Sequence, residues 1–280
     1  MARDTNFYYS FLVLTPARRE AIVAVWDFCR AVDDAVDEAE DPGTAAAEVV
    51  KWREEVGRLF GPETPLTPQT KNLKPYVEAF SLTRQPFDDL VDGVEMDLRR
   101  SRYDTFDELV GYCRRVASAV GVMCIEVFGC RDSRSREYAF HLGLALQITN
   151  IIRDIKADLK QGRIYLPQED LARFGVTEEA LAAGEMTGAI RKLLQHECQR
   201  ARQFYAAAAQ AMPHGESRKL VAAEIMGGIY FEILQRIERR GYDVFGERVR
   251  VPKLHRARIA LQIWALSQLS AFGLTRSARA

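Results

Sequence analysis

The sequence predicts an all-α protein with a single domain, and three observations support this. Apolar residues recur at helical spacing along most of the 280-residue chain, and no alternation of apolar and polar residues is long enough to predict a sheet. A hydrophobic content of 48% suffices for one large core. Because neither an internal repeat nor a low-complexity linker divides the chain, we expect one helical domain over residues 1–280.

Threonine, proline and glycine mark the expected ends of the first helices. Thr15 and Pro16 are the predicted cap and first residue of a long helix, which residues 42–43 end. Thr44 is then expected to cap a second helix that runs to residue 61, and a short third helix begins at residues 67–68.

The later helices follow from capping patterns and apolar periodicity. The stretch "TFDE" at residues 105–108 has capping-box spacing and opens a helix. The helices expected in this half of the chain span residues 105–129, 134–160, 184–211, 216–240 and 252–273.

The stretch "CRAVDDAVDE", residues 29–38, crowds acids at the end of the first long helix. The helix macrodipole already carries partial negative charge there. Asp33 and Asp37 are four residues apart, so they share one face and repel each other mildly. For that reason we expect asparagine at such a position to leave stability unchanged or slightly higher. A solvated surface turn explains an isolated pair of this kind, so a function for it needs a second observation.

That observation is "LALQITNIIRDIKADLKQGRIYLP", residues 144–167. Gln147, Asn150, Asp154 and Asp158 form one polar stripe beside an apolar stripe of isoleucine and leucine. We expect the two acidic helices to face each other across a cavity. Oxygen ligands without histidine or thiolate suit Mg²⁺, which is commonly held by carboxylates and substrate phosphate oxygens. The pattern therefore predicts a phosphorylated substrate.

Basic residues accompany both acidic stretches. Arg30 and Arg153 are interpreted as phosphate ligands, whereas for Lys160 and Arg163 a phosphate contact and a surface ion pair remain equally open. The whole chain holds 39 basic and 39 acidic residues, so no overall field favours nucleic acid as a partner.

Several apolar stretches can supply walls for the cavity. They include "NFYYSFLVL" near the N-terminus, with Phe7 and Phe11, and "AVGVMCIEVF" at residues 119–128. Taken alone, each stretch is more often ordinary core than the wall of a cavity. The five cysteines show no metal-binding or disulfide spacing, and we expect free thiols.

Together these stretches resemble the squalene and phytoene synthase family of head-to-head prenyl transferases. The matching motifs are "FCRAVDDAVDE", "YCRRVASAVG" and "LQITNIIRDIKADLKQGRIYLP", in the order that the family has them. The resemblance implies a helical isoprenoid-synthase bundle whose central cavity binds two prenyl diphosphates through Mg²⁺. The sequence departs from the family pattern at Lys156 and Ala157, where relatives often carry glycine and glutamate.

The same resemblance implies roles for individual residues. The implied metal ligands, of which the four aspartates are also the implied catalytic residues, are Asp33, Asp37, Asn150, Asp154 and Asp158. The implied substrate-binding residues are Arg30, Gln147, Arg153, Tyr165, Tyr112, Phe7 and Phe11.

Residues 5–38 look most like the bacterial presqualene diphosphate synthases of hopanoid pathways. This implies coupling of two farnesyl diphosphates that stops at a cyclopropyl product. Phytoene synthases, which use geranylgeranyl diphosphate, share nearly all these motifs and remain an alternative, as do squalene and dehydrosqualene synthases. More distant alternatives are a helical nucleotide pyrophosphohydrolase and a non-catalytic helical scaffold.

The sequence lacks the pattern of a signal peptide and any run of 18 apolar residues, so we expect a cytoplasmic protein. The C-terminal segment carries Ile259, Ile263, Leu266 and Leu269 at helical spacing, with arginines at both ends. Packing on the core is one interpretation, and peripheral contact with the inner face of a membrane is the other. The sequence leaves the oligomeric state open.

Overall fold

A computed structural model describes residues 7–271, although not the side chains of Phe7, Ser270 and Ala271. The prediction of an all-α fold is confirmed, because the described chain contains no strand beyond a single bridge between Arg102 and Ile164. The helices are α1 Phe7–Phe11, α2 Pro16–Asp37, α3 Pro42–Phe60, α4 Pro68–Ala79, α5 Gln85–Arg99, α6 Phe106–Cys113, α7 Ala119–Val127, α8 Ser133–Lys160, α9 Gln168–Phe174, α10 Glu178–Ala183, α11 Gly188–Ala211, α12 Val221–Arg239 and α13 Lys253–Ala271.

Proline sets the start of three early helices, and one expected boundary was wrong. Helix α2 begins at Pro16 as predicted. Pro42, expected to end a helix, instead begins α3, and the cap is Asp41 rather than Thr44. The Asp41 carboxylate accepts hydrogen bonds from the backbone N–H groups of Gly43 and Thr44 at 2.8 and 3.1 Å. The backbone N–H that proline lacks would have no acceptor within the helix at the first helical position. Proline is therefore well suited to begin α3 at this point.

Helix α5 was not anticipated from the sequence, and neither were the short helices α1, α9 and α10. Helix α11 begins at Gly188 behind a Thr187 cap, four residues later than expected, and α12 begins five residues later than expected. The helix expected over residues 105–129 is interrupted by a π-helical turn, Arg114–Ser118. Such turns contain one extra residue and often lie beside functional sites.

The π turn packs tightly between α5 and α8 because glycine faces it on both sides. A Cβ atom on Gly93 would lie 2.7 Å from a methyl carbon of Val116, and one on Gly143 would lie 2.7 Å from the Cα of Ser118. The Ser118 hydroxyl also donates a hydrogen bond of 2.9 Å to the Phe140 carbonyl. The turn is therefore held in place by backbone packing and by a side-chain hydrogen bond.

Two buried apolar clusters form the core, and α8 contributes to both of them. One cluster joins α8 to α11 and α12, and the other joins it to α2, α3, α5 and α7. The cavities described below are lined by residues from both clusters. Among the described helices, none has the length and apolar content needed to cross a membrane.

Candidate active site

The acidic ends of α2 and α8 meet at one open pocket. Its volume is about 310 Å³. The residues predicted from the sequence that line this pocket are Asp33, Asp37, Tyr112, Gln147, Asn150, Arg153, Asp154, Asp158 and Tyr165. The expectation that the two acidic helices face each other across a cavity is therefore met. Asp97, Gln161, Arg163 and Tyr230 line the same pocket.

Two of the residues implied to bind substrate lie outside the acidic pocket, and the side chain of a third is not described. Arg30 does not line the acidic pocket, because its side chain points outward and pairs with Asp34 at 3.3 Å. Phe11 is buried and lines an apolar cavity next to the pocket. The side chain of Phe7 lies outside the described part of the structure.

Asp154 is held by two arginines. Arg153, which is only 8% exposed, donates two hydrogen bonds to it, at 2.9 and 2.5 Å, and Arg248 donates two more, at 2.7 and 2.6 Å. Burial disfavours the charged carboxylate, but the hydrogen bonds from Arg153 and Arg248 outweigh burial and keep the pKa of Asp154 below its ordinary value. Arg248 lies 94 residues further along the chain. Nothing in its local sequence identifies it as a site residue.

Asp33 and Asp158 differ from Asp154, because the pKa of each of them is raised. Desolvation in the concave pocket, followed by the charges of Asp37 and Asp97, raises the pKa of Asp33 to about 7. Desolvation and the neighbouring Asp154 raise the pKa of Asp158 to about 7 as well. Neither carboxylate forms an ion pair with another described residue. The pocket therefore concentrates negative charge that a cation would relieve.

Asp97 organises a cluster of tyrosines at one wall of the pocket. It accepts hydrogen bonds of 2.9 Å from the hydroxyls of Tyr112 and Tyr165, whose rings stack with centroids 5.2 Å apart. Burial raises the pKa of Asp97 to about 6 despite these bonds and the nearby Arg163. Asp97 was missed because α5 was missed. The helical spacing of Leu90, Val94 and Asp97 is the sequence signal that could have placed it on a buried face.

Arg163 links the two acidic motifs. Its guanidinium donates a hydrogen bond of 2.9 Å to Asp37, so the segment after α8 contacts the end of α2. Of the two basic residues left open from the sequence, Arg163 lines the pocket, whereas Lys160 is not among the lining residues.

An apolar cavity of about 260 Å³ continues inward from the acidic pocket. Both are lined by Asp33, Val116, Gln147, Asn150 and Tyr230. The inner walls combine aromatic and small side chains, namely Phe11, Trp26, Val120, Gly121, Cys124, Phe128, Tyr138, Ala139, Gly143, Ala222 and Ala223.

The depth of the apolar cavity follows from helix geometry. Along α8 the lining runs from Asn150 at the mouth to Tyr138. The 12 residue-to-residue steps between them span about 18 Å at 1.5 Å per step. The cavity can therefore hold a long apolar chain whose polar end lies among the carboxylates.

The donor set of the pocket fits Mg²⁺. It consists of carboxylates and an amide, and the amide oxygen of Asn150 is buried without a hydrogen-bond partner in the described structure. The carboxylates of the two acidic motifs are too widely spaced to hold a single ion in a compact cluster. Among the described residues, three potential ligand atoms of His, Cys, Asp or Glu come within 4.8 Å of one another only at Asp170, His196 and Glu197. Phosphate oxygens of a ligand would complete such a widely spaced set.

The cluster of Asp170, His196 and Glu197 has a different character. Arg200 lies between its two carboxylates and pairs with both. Its guanidinium also lies 4.1 Å from the centroid of the Phe106 ring. Burial raises the pKa of Glu197 to about 8, so the guanidinium of Arg200 balances the charge of Asp170. The cluster therefore joins α9 to α11 as part of the scaffold.

Known proteins share both the sequence pattern and the fold. The phytoene synthase of Arthrospira platensis is 39% identical over 262 residues, which cover 88% of this chain and 84% of that protein. A crystal structure of a dehydrosqualene synthase in complex with a ligand matches with a TM-score of 0.84 and 25% identity, covering 95% of this chain and 92% of the other. The squalene synthase HpnC from Alicyclobacillus acidocaldarius matches with a TM-score of 0.76 and 32% identity, covering 85% and 89%.

The resemblance first noticed in the motifs is therefore confirmed at the level of the family. The family model for squalene/phytoene synthase matches residues 1–255, which include both acidic helices and every described residue of the pocket. The chain belongs to the squalene/phytoene synthase family of prenyl transferases.

Proposed function

We propose that this protein condenses two prenyl diphosphates head to head through a cyclopropyl diphosphate. The observation that carries the proposal is the continuity of the two cavities, since one set of residues lines both the acidic pocket and the apolar one. A prenyl diphosphate has the same two parts, a highly charged head and a long apolar chain.

The acidic pocket is assigned to the diphosphate heads. Asp33, Asp37, Asn150, Asp154 and Asp158 would hold Mg²⁺, which neutralises the charge that develops on a departing diphosphate. Further positive charge comes from arginine. The Arg153 and Arg248 guanidiniums already lie against Asp154, from which each can also reach a phosphate oxygen.

The apolar cavity is assigned to the prenyl chains. In the proposed reaction the carbon–oxygen bond of one substrate breaks, and the diphosphate leaves with the bonding electrons. The resulting allylic cation accepts the electron pair of a double bond in the second chain, and loss of a proton closes the cyclopropane ring. Phe11, Trp26 and Phe128 exclude water that would quench the cation, and aromatic faces favour positive charge.

There are two candidate substrates, which differ in the length of the prenyl chain, and different relatives favour each of them. The identity with a phytoene synthase favours geranylgeranyl diphosphate. The likeness of residues 5–38 to presqualene diphosphate synthases, together with the squalene and dehydrosqualene synthase structures, favours farnesyl diphosphate. On the second candidate the protein makes presqualene diphosphate and does not reduce it.

One assay tests the reaction and separates the candidates. The purified protein is incubated with Mg²⁺ and either diphosphate, with and without NADPH, and the lipid products are identified by mass spectrometry. A C40 product from geranylgeranyl diphosphate supports the first candidate, and presqualene diphosphate that persists with NADPH supports the second. Absence of any condensed product from either substrate would refute the proposed function and favour a hydrolase or a scaffold.

A further inference from the structure

Arg19, in the first turn of α2, reaches back to the end of α1. Its guanidinium donates three hydrogen bonds of 3.0 Å, to the backbone carbonyls of Phe11, Leu12 and Leu14. We call these three bonds the Arg19 clamp. Carbonyls at the end of a helix lack helical partners and carry the partial negative charge of the helix dipole. The clamp therefore supplies both hydrogen bonds and an opposing charge at the end of α1.

Helix α1 needs such support because it is very short. It has only five residues, Phe7–Phe11, and a helix of that length is not stable by itself in water. Tyr9 packs against the core cluster that joins α8 to α11 and α12, and the guanidinium of Arg256 lies 5.4 Å from the centroid of its ring. Contacts with the rest of the protein therefore decide whether α1 keeps its place.

The end of α1 forms part of the wall of the apolar cavity. Ser10 and Phe11 line this cavity and do not line the acidic pocket. Both are buried, with 1% and 6% of their surface exposed, whereas the next residue, Leu12, is 47% exposed. The end of α1 therefore separates the apolar cavity from solvent, at the point where the clamp holds it.

The neighbouring Arg18 points in another direction. Its Nη2 atom lies 3.1 Å from the position that a Cβ atom would take on Gly129, just beyond α7. Arg18 lines neither the acidic pocket nor the apolar cavity. Two adjacent arginines of equal charge thus differ in what they hold, and Arg18 provides a matched control for Arg19.

We infer that Arg19 is a positioning residue, which holds α1 over the apolar cavity and keeps Phe11 in the wall that excludes water. Without the guanidinium, water becomes the partner of the carbonyls of Phe11, Leu12 and Leu14, so α1 opens locally more often. The consequence for catalysis rests on the proposed function, whereas the clamp itself does not.

An opening of α1 changes the fate of the allylic cation in the proposed reaction. Water that enters the cavity forms a bond from its oxygen to the cationic carbon, and loss of a proton to solvent leaves a prenyl alcohol. This step competes with attack by the double bond of the second chain. Arg19 therefore governs how the cation is divided between condensation and capture by water.

The clamp is tested first without substrate, by hydrogen–deuterium exchange and mass spectrometry. We expect Arg19→Gln to exchange the backbone amides of residues 8–14 at least about tenfold faster than the parent protein, because three hydrogen bonds are lost. Arg18→Gln removes the same charge and should exchange these amides like the parent. Equal exchange in Arg19→Gln and the parent would overturn the inference.

A second variant keeps the test decisive if Arg19→Gln does not fold. Arg19→Lys retains the charge but lacks the planar fork that spans three carbonyls, so its exchange over residues 8–14 should also exceed that of the parent. Thermal unfolding verifies that each variant is folded. Exchange at the parent rate in Arg19→Lys, with Arg19→Gln unfolded, would overturn the inference.

The positioning role is tested by the division between products. With Mg²⁺ and the diphosphate that the parent condenses, Arg19→Gln should raise the ratio of prenyl alcohol to condensed product at least about fivefold, and Arg18→Gln should keep the parent ratio. The reaction is run in ¹⁸O-labelled water. Alcohol formed by capture of the cation carries the label, whereas hydrolysis at phosphorus retains the oxygen of the substrate.

The ratio separates positioning from a merely structural role. Loss of folded protein lowers both products together, so an unchanged ratio in Arg19→Gln alongside faster exchange would overturn the positioning role. If the parent forms no condensed product at all, the proposed function fails, and the exchange experiment still decides whether Arg19 clamps α1.

Discussion

Asp33 and Asp154 occupy equivalent positions in the two acidic motifs, yet the fold gives them opposite electrostatic states. Asp33 is surrounded by other carboxylates and its pKa is raised to about 7. Asp154 is bonded to Arg153 and Arg248, and its pKa is lowered. The difference arises from residues outside each motif, since Arg248 reaches Asp154 from 94 positions away. Identical motifs therefore do not imply identical behaviour, and three measurements can test how far the difference extends.

The largest expected effect is on turnover, where the two aspartates should behave alike because activity should require both of them. Asp33→Asn and Asp154→Asn should each lower turnover at least about a hundredfold, equivalent to about 2.7 kcal/mol of transition-state stabilisation. Steady-state kinetics with the substrate found above measures this. Asp34→Asn is the matched control, because Asp34 pairs with Arg30 outside the pocket and should be dispensable. Wild-type turnover in either pocket variant would contradict the site assignment.

Stability should separate the same two variants. Repulsion alone predicted that asparagine at either position leaves stability unchanged or higher. The structure supports this expectation for Asp33, whereas at Asp154 the substitution leaves the guanidinium of Arg153, a residue only 8% exposed, without its anionic partner. We therefore expect Asp154→Asn to lower the free energy of unfolding by about 2 kcal/mol. Urea denaturation in EDTA measures it, and equal stability of the two variants would contradict the contrast.

The smallest effect is on the pH dependence of stability in metal-free protein. For Asp33 the folded pKa is raised from the ordinary 3.8 to about 7, so the folded state binds more protons across that window. Its contribution is fully present below pH 3.8 and is lost as the pH rises through about 7. Asp154 acts oppositely, and its contribution is lost as the pH falls below 3.8.

Asp33→Asn should therefore reduce the loss of stability between pH 5 and pH 8 by about 1 kcal/mol, allowing for screening by water in the open pocket. Denaturation at the two pH values in EDTA measures the change, with Asp34→Asn as the reference. An unchanged difference between the two pH values would show that Asp33 is not desolvated. Mg²⁺ together with inorganic diphosphate should stabilise the parent more at pH 8 than at pH 5.

The parts of the site that were predictable from sequence are those encoded locally. Asp33 and Asp37, and likewise Asn150, Asp154 and Asp158, lie on one helix face by spacing alone, so each motif could be recognised without its partner. The starts of helices at proline could also be predicted from local sequence, although Pro42 was expected to end a helix and instead begins one. What local spacing cannot supply is the rotation of a helix relative to its neighbours.

Arg30 shows that limit most clearly. It lies one turn before Asp33, yet its side chain points away from the pocket. Asp97 and Arg248 show the converse, since each reaches the pocket through packing between distant segments. Their pairing with Tyr112 and Asp154 depends on contacts over 15 and 94 positions, which no single motif contains.

The π turn at Arg114–Ser118 also sets the phase between two helical segments. One extra residue in a turn rotates everything after it by about 100° relative to a continuous α-helix. Without that rotation, Val120 and Cys124 would face about 80° and 120° away from the direction of Tyr112, whereas with it they point within about 20° of that direction. A single-residue offset thus lets one length of chain line the charged pocket before the turn and the apolar cavity after it.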